Sequence, residues 1–164
     1  MHYYLLKTGG RVTTSHPTID PGRVECTKEQ YDYHEEYRIV DGVIIDRDDA
    51  ELLQLEKTKR HALIVTQAQA LLAVLVEGYP AAEVSTWAQQ HREASAWAHD
   101  HKTETPLLTT IAGSPGARDV LARNVLAYAA DHNTAAGAII AARRVAQQAV
   151  DDAGTVEAVR AITL

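Results

Sequence analysis

The densest group of side chains able to hold a metal ion is His99-Asp100-His101, with His91 and Glu93 upstream. Two ligands on one helix share a face when they lie three or four residues apart. His99 and His101 are two apart, so on a helix their side chains diverge by about 200°, and only a frayed helix end would bring them together. We interpret the cluster as a solvated helix C-terminus, where the helix dipole favours histidine, and predict no metal site.

Cys26 is the only cysteine, which excludes an intrachain disulfide and any multi-cysteine metal site. It precedes Thr27, a candidate helix N-cap, and a helix N-terminus lowers the pKa of a thiol. However, no histidine lies near it in sequence, and a lone cysteine in a strand is usually a small packed apolar side chain. We favour this packing role over a reactive thiol.

Paired carboxylates, which general acid and base catalysis can use, occur at Glu35-Glu36, Asp48-Asp49 and Asp151-Asp152. Each pair falls at a predicted helix boundary, without the apolar surroundings that raise a carboxyl pKa. The chain contains no Gly-x-Ser-x-Gly motif, Walker A loop or dinucleotide-binding fingerprint. The sequence therefore predicts a protein that is not an enzyme, with no catalytic residue and no cofactor.

Aromatic residues are the remaining candidates, because tryptophan and tyrosine are enriched at protein–protein hot spots. Trp87 and Trp97 are ten residues apart, about 80° off register on an ideal helix. Core packing is our main interpretation for both, with partner contact as the alternative. Tyr31, Tyr33 and Tyr37 cannot all lie on one side of a helix, so at least one should face solvent or a partner. These five residues are the predicted partner-binding candidates.

The charge balance and the apolar runs exclude two classes of partner. The formal net charge is −6, which gives no electrostatic footprint for nucleic acid or an anionic membrane. The N-terminus lacks the long apolar stretch of a signal peptide. The best apolar run, from Ala68 to Val76, is too short to span a bilayer. We expect a cytoplasmic protein that binds neither nucleic acid nor membrane.

Alanine usage divides the chain. No alanine precedes Ala50, whereas residues 62–164 contain 26, and five of the seven tyrosines lie in the first 37 residues. Alanine favours helices, while tyrosine and β-branched residues favour strands. We predict an α+β fold with a β-rich N-terminal region at 1–47, a long connecting helix at 48–78 and an all-helical C-terminal domain at 79–164.

Turn signals place the first strands. Strands are predicted at Tyr3–Leu6 and around Arg11–Thr14, joined by the Thr8-Gly9-Gly10 turn. Asp20-Pro21-Gly22 indicates a second turn. Between Ile39 and Ile44, the Asp41-Gly42 pair predicts a hairpin, because these residues suit the positive φ angles of a type I′ turn.

Capping signals place the helices. Thr27 and Gln30 have capping-box spacing, which predicts a short helix to about Tyr37. A helix from Asp48 to Gly78 would be roughly 45 Å long, so it either bridges the two regions or breaks once near 57–61. Further helices are predicted at about 81–101, after Thr105-Pro106, after Ser114-Pro115, and at about 134–151, with a short final turn after Gly154-Thr155.

Two stretches resemble the tail-fibre assembly proteins of tailed phages and prophages. In the first, Tyr3-Tyr4, the glycine turn and a Pro-Gly pair precede Val24-Glu25-Cys26-Thr27-Lys28-Glu29-Gln30-Tyr31. This order resembles the family's opening, which runs from a strand into valine–x–x–threonine–x–glutamate–x–tyrosine. The second stretch resembles a helical module of phage tail-region proteins, and its residues are Tyr79-Pro80, Glu83, Trp87, Gln90, Glu93-Ala94 and Thr105-Pro106-Leu107-Leu108.

The resemblance implies a non-enzymatic chaperone in the cytoplasm of a bacterial host. Such a protein binds the distal part of a tail fibre, itself a trimer, and assists its folding, trimerisation or attachment. The family brings no catalytic residues. One alternative stays open, a structural tail component that remains bound to the fibre or baseplate in the virion. The oligomeric state of the protein itself also stays open.

Overall fold

A computed structural model describes residues 1–164 as two compact units. Unit 1 contains Met1–His61 and Ala149–Ile162, and unit 2 contains Ala62–Gln148 and Thr163–Leu164. Short antiparallel strands at the N-terminus are followed by a mostly helical remainder, which confirms the α+β prediction. The units cut across the expected segments 1–47, 48–78 and 79–164, because one boundary falls inside a long helix and a C-terminal stretch belongs to unit 1.

The first sheet has three antiparallel strands, β1 (His2–Leu6), β2 (Arg11–Thr14) and β3 (Arg23–Cys26), in the order β2-β1-β3. Tyr4 on β1 pairs with residues of both neighbours and is buried. The two predicted strands and the glycine turn between them are confirmed. The second turn is also confirmed, because the Asp20 carboxylate accepts a 2.8 Å hydrogen bond from the Gly22 N–H.

Helix α1 (Lys28–Asp32) begins with the predicted capping box. Thr27 Oγ1 accepts from the Gln30 N–H at 3.1 Å, and the Gln30 side chain accepts from the Thr27 N–H at 3.0 Å. The predicted extension to Tyr37 is wrong. A 3₁₀ turn (His34–Glu36) follows, and Tyr37 is already extended because it pairs with Asp46 in the next hairpin.

That hairpin consists of β4 (Tyr37–Val40) and β5 (Val43–Asp46). Asp41 and Gly42 have φ angles of 50° and 82°. Both values are positive, as a type I′ turn requires, so the predicted hairpin is confirmed.

Helix α2 (Asp49–Val74) is continuous, without a break near 57–61. It ends before Gly78, where the helix was expected to stop. The Leu75 N–H donates to the Leu72 carbonyl at 3.2 Å, an i to i+3 bond of the kind that tightens a last helical turn.

The prediction of a single helix over 81–101 is wrong. The structure has α3 (Ala81–Val84) and α4 (Trp87–His99), separated at Ser85 and Thr86. The two hydroxyls donate to the Ala82 and Glu83 carbonyls at 2.6 and 2.7 Å. Such local side-chain bonds compete with helix hydrogen bonding, which accounts for the interruption.

Helix α5 (Pro106–Ala112) starts at the predicted proline and ends at Gly113, whose φ is 68°. The Thr105 hydroxyl makes no capping bond, contrary to expectation.

The helices expected after Pro115 and at 134–151 form one element, α6 (Pro115–Asp152), because no proline interrupts it. Its predicted Ser114 cap is present, at 3.4 Å from the Ala117 N–H. Helix α7 (Val156–Ala161) follows, capped by Thr155. None of these helices is both long and apolar enough to cross a membrane.

A candidate aromatic groove

Four rings from three parts of unit 2 meet around Trp87, the first residue of α4. Tyr79 precedes α3, while Tyr128 and His132 lie one turn apart on α6. The Trp87 centroid is 5.1 Å from that of Tyr79, 5.8 Å from Tyr128 and 5.7 Å from His132, with interplanar angles of 82°, 78° and 84°. These edge-to-face contacts fix the rings relative to one another.

The rings form one wall of a groove of about 660 Å³, which we call the aromatic groove. Its other lining residues are Glu83, Ala88, Gln90, His91, Arg92, Asn124, Val125, Ala129 and Asn133. Apart from Glu83, Arg92 and the histidine, their side chains are apolar or neutral. Glu83 and Arg92 carry opposite charges. The groove is therefore electrically balanced.

Several groups in the aromatic groove are free to meet a ligand. Tyr79 and Tyr128 are 40% and 45% exposed, and Trp87 is half-buried. A hydrogen bond between the two tyrosine hydroxyls raises the pKa of Tyr128 above its ordinary value. The Trp87 indole N–H and the Asn124 and Asn133 amides make no hydrogen bond within the protein.

Trp97 has a different role. It is 7% exposed and packs with Ala94, Leu108 and Ala122 in the core of unit 2. Its indole N–H donates to Asp119 Oδ1 at 2.7 Å. This burial agrees with the core interpretation of Trp97 and leaves little of its side chain for a partner to contact.

The structure does not bring the three candidate tyrosines of unit 1 together. Tyr31 packs against Tyr3, with ring centroids 5.1 Å apart and the Arg11 guanidinium 4.8 Å from the Tyr31 ring centroid. Tyr37 is half-buried, and desolvation raises its pKa. Tyr33 is 57% exposed. At least one of the three thus faces solvent, as expected.

Tyr33 lines a second groove of about 700 Å³, here called the polar groove, formed by the 3₁₀ turn, α2 and α7. The lysine and the arginine that line it are both paired within the protein. Lys59 pairs with Glu35, and Arg160 with Glu56 at 3.3 Å. The hydrogen bond from Lys59 holds the pKa of Glu35 below its usual range. These paired groups have less to offer a ligand than the unpaired donors of the aromatic groove.

Glu93, His101 and Cys26, which the sequence offered as metal ligands or a nucleophile, have environments that favour structural roles. No group of three or more His, Cys, Asp or Glu side chains is placed to hold a metal ion. Glu93 accepts from the Leu108 N–H at 2.9 Å, and the His101 ring packs 5.0 Å from that of Trp97. Burial, together with Glu25, raises the pKa of the Cys26 thiol and so disfavours the reactive thiolate.

Sequence reasoning missed Tyr79, Tyr128 and His132 as site residues. The only local signal was the four-residue spacing of Tyr128 and His132, which places them on one helix face. Outside both grooves, Ile19 is fully exposed. This residue follows Thr18, whose N–H donates to the hydroxyl of buried Tyr4 at 2.9 Å.

Comparison of the chain with protein-family models, curated proteins and solved structures finds no match. Aromatic area, an indole donor and neutral amides are groups that bind a ligand.

Proposed function

We propose that this protein binds a polypeptide through the aromatic groove and acts as a non-enzymatic chaperone in phage tail-fibre assembly. The observation that carries the proposal is the cluster of partly exposed rings around Trp87, whose indole N–H has no partner within the protein. Tryptophan and tyrosine in a groove supply large apolar area at low cost in conformational entropy.

The phage resemblance supplies the class of partner. Four of its residues in the helical stretch, Tyr79, Glu83, Trp87 and Gln90, line the aromatic groove. Fibre chains rich in intertwined β-structure fold slowly and expose strand edges and apolar side chains on the way. Covering such surface by binding alone would reduce aggregation without an energy source, which agrees with the absence of a nucleotide-binding motif from the sequence.

The test is co-expression with the tail-fibre protein of the same phage or prophage. We expect soluble, trimeric fibre only when this protein is present, and a severalfold lower yield with Trp87→Ala. Ile140→Ala, an exposed position on α6 outside both grooves, is the control and should keep the wild-type yield. Equal fibre yield without the protein would remove the proposal.

Two further results would redirect the proposal. If Tyr33→Ala lowers the yield and Trp87→Ala does not, the polypeptide binds in the polar groove. If purified phage particles contain this protein in fixed proportion to the fibre, it is a structural tail component instead of a transient chaperone. Mass spectrometry of the particles measures that proportion.

A further inference from the structure

We infer that the aromatic groove takes a proline-containing segment of its partner in the polyproline II conformation. The inference rests on the proposed function, because it names the part of a polypeptide that this groove would hold. Three properties of the groove support it: the angles between its rings, its unpaired donors and its charge balance.

The rings around Trp87 are steeply inclined to it and do not form one flat face. Each neighbour of Trp87 is inclined to it by close to a right angle, at 82°, 78° and 84°. A polyproline II helix has about three residues per turn, so its proline rings form regularly spaced ridges. Aromatic-lined grooves are the known receptors for such ridges. A sugar ring, by contrast, stacks on an open flat face, and half-buried Trp87 with three ring neighbours offers little of one.

The unpaired donors match the backbone of such a segment. Polyproline II has no internal hydrogen bonds, so its carbonyls remain free to accept. The aromatic groove has the Trp87 indole N–H and the amides of Asn124 and Asn133, none of which is bonded within the protein. These donors lie beside the aromatic rings of the groove. They could therefore hold a proline segment, which lacks backbone N–H groups, through its carbonyls alone.

The charge balance favours a neutral occupant. Glu83 and Arg92 are the only carboxylate and the only guanidinium that line the aromatic groove, and they cancel. A nucleic acid or an acidic peptide would need a basic rim. A basic peptide would find more carboxylates in the polar groove, where those of Glu36, Asp49 and Glu157 form no ion pair.

The experiment titrates the full-length protein with an end-blocked proline decapeptide and follows tryptophan fluorescence. An end-blocked glycine–serine decapeptide of equal length is the comparison ligand. We expect saturable binding of the proline peptide, about tenfold or more tighter than the glycine–serine peptide. Tyr128→Ala should weaken proline binding by about tenfold. Ile140→Ala, similarly exposed on the same helix, should leave it unchanged.

The alternative outcomes are distinguishable. Equal affinity for the two peptides, no binding of either, or tighter binding of a maltohexaose probe would overturn the inference. If proline binding is absent while fibre rescue persists and still depends on Trp87, the inference fails and the proposed chaperone function stands. If the proline peptide binds but fibre yield does not depend on the protein, only the chaperone function fails.

Discussion

The two units arrange their polar and aromatic side chains in opposite ways. All seven ion pairs lie within unit 1. Five of the six ring contacts lie within unit 2. Unit 1 therefore combines two sheets with surface charge pairing, whereas unit 2 relies on apolar and aromatic packing between helices.

This difference indicates which unit is built to bind. An ion pair that is already satisfied gains little from a ligand, since it must first be desolvated. When a ligand binds, a partly exposed indole ring breaks no hydrogen bond within the protein and gains apolar contact area. Lys59 and Arg160 of the polar groove are already paired, so this groove of unit 1 is the weaker candidate and the aromatic groove of unit 2 is the stronger one.

The largest expected effect tests the dependence of unit 2 on packing. Leu108 is fully buried in the cluster with Trp97, so Leu108→Ala should lower the free energy of unfolding by about 2–5 kcal/mol. Both tryptophans lie in unit 2, so urea unfolding followed by tryptophan fluorescence reports this unit.

Ile111→Ala is the matched control for Leu108→Ala. Ile111 lies on the same short helix and is 49% exposed, so its truncation should change the free energy of unfolding by less than about 0.5 kcal/mol. Equal losses for the two variants would contradict the assignment of the core to the Leu108 face of α5.

The sequence predicts local features of both units well where a specific residue pair determines the backbone. The Asp41-Gly42 turn and the Thr27–Gln30 capping box are examples, because each signal lies within four residues. Helix lengths are predicted less well. The break at Ser85 and Thr86 depends on whether their hydroxyls bond to nearby backbone carbonyls. The length of α6 depends on whether the helix continues through Gly137, which it does.

The aromatic groove shows why a site is harder to predict than a turn. Trp87 was a candidate from residue type alone, but its neighbour Tyr128 is 41 positions away in the chain. No periodicity within α4 or α6 reports that these faces meet. Spacing likewise gave no means to separate Trp87 from Trp97, because only tertiary packing makes one a groove residue and the other a core residue.

A middle-sized effect tests hydrogen bonding inside unit 1. The buried Tyr4 hydroxyl accepts from the Thr18 N–H, so Tyr4→Phe should lower the free energy of unfolding by about 1 kcal/mol. The measurement is amide hydrogen exchange by NMR, where the Thr18 amide should lose protection.

Tyr33→Phe serves as the control for Tyr4→Phe. The Tyr33 hydroxyl has no hydrogen-bond partner within the protein, and its side chain is exposed. This variant should keep wild-type exchange at Thr18. Unchanged protection of Thr18 in Tyr4→Phe would show that the hydroxyl does not hold the segment before Ile19.

The smallest effect concerns the ion pair between Glu35 and Lys59 in unit 1. The hydrogen bond from Lys59 lowers the folded-state pKa of Glu35, so its stabilisation is present above the ordinary glutamate pKa and is lost as pH falls through the lower folded-state value. Both side chains are more than a third exposed, so solvent screening limits the contribution to about 0.2–1 kcal/mol.

Glu35→Gln should therefore destabilise the protein by that amount at neutral pH, as measured by thermal unfolding followed by circular dichroism. The difference from wild type should vanish in acid, where Glu35 itself becomes protonated, and should shrink in high salt. Glu36→Gln, the adjacent carboxylate without an ion pair, should show neither dependence. A Glu35→Gln difference that persists unchanged in acid and in salt would mean that Glu35 stabilises unit 1 by packing, and ion pairing would then no longer distinguish the two units at this position.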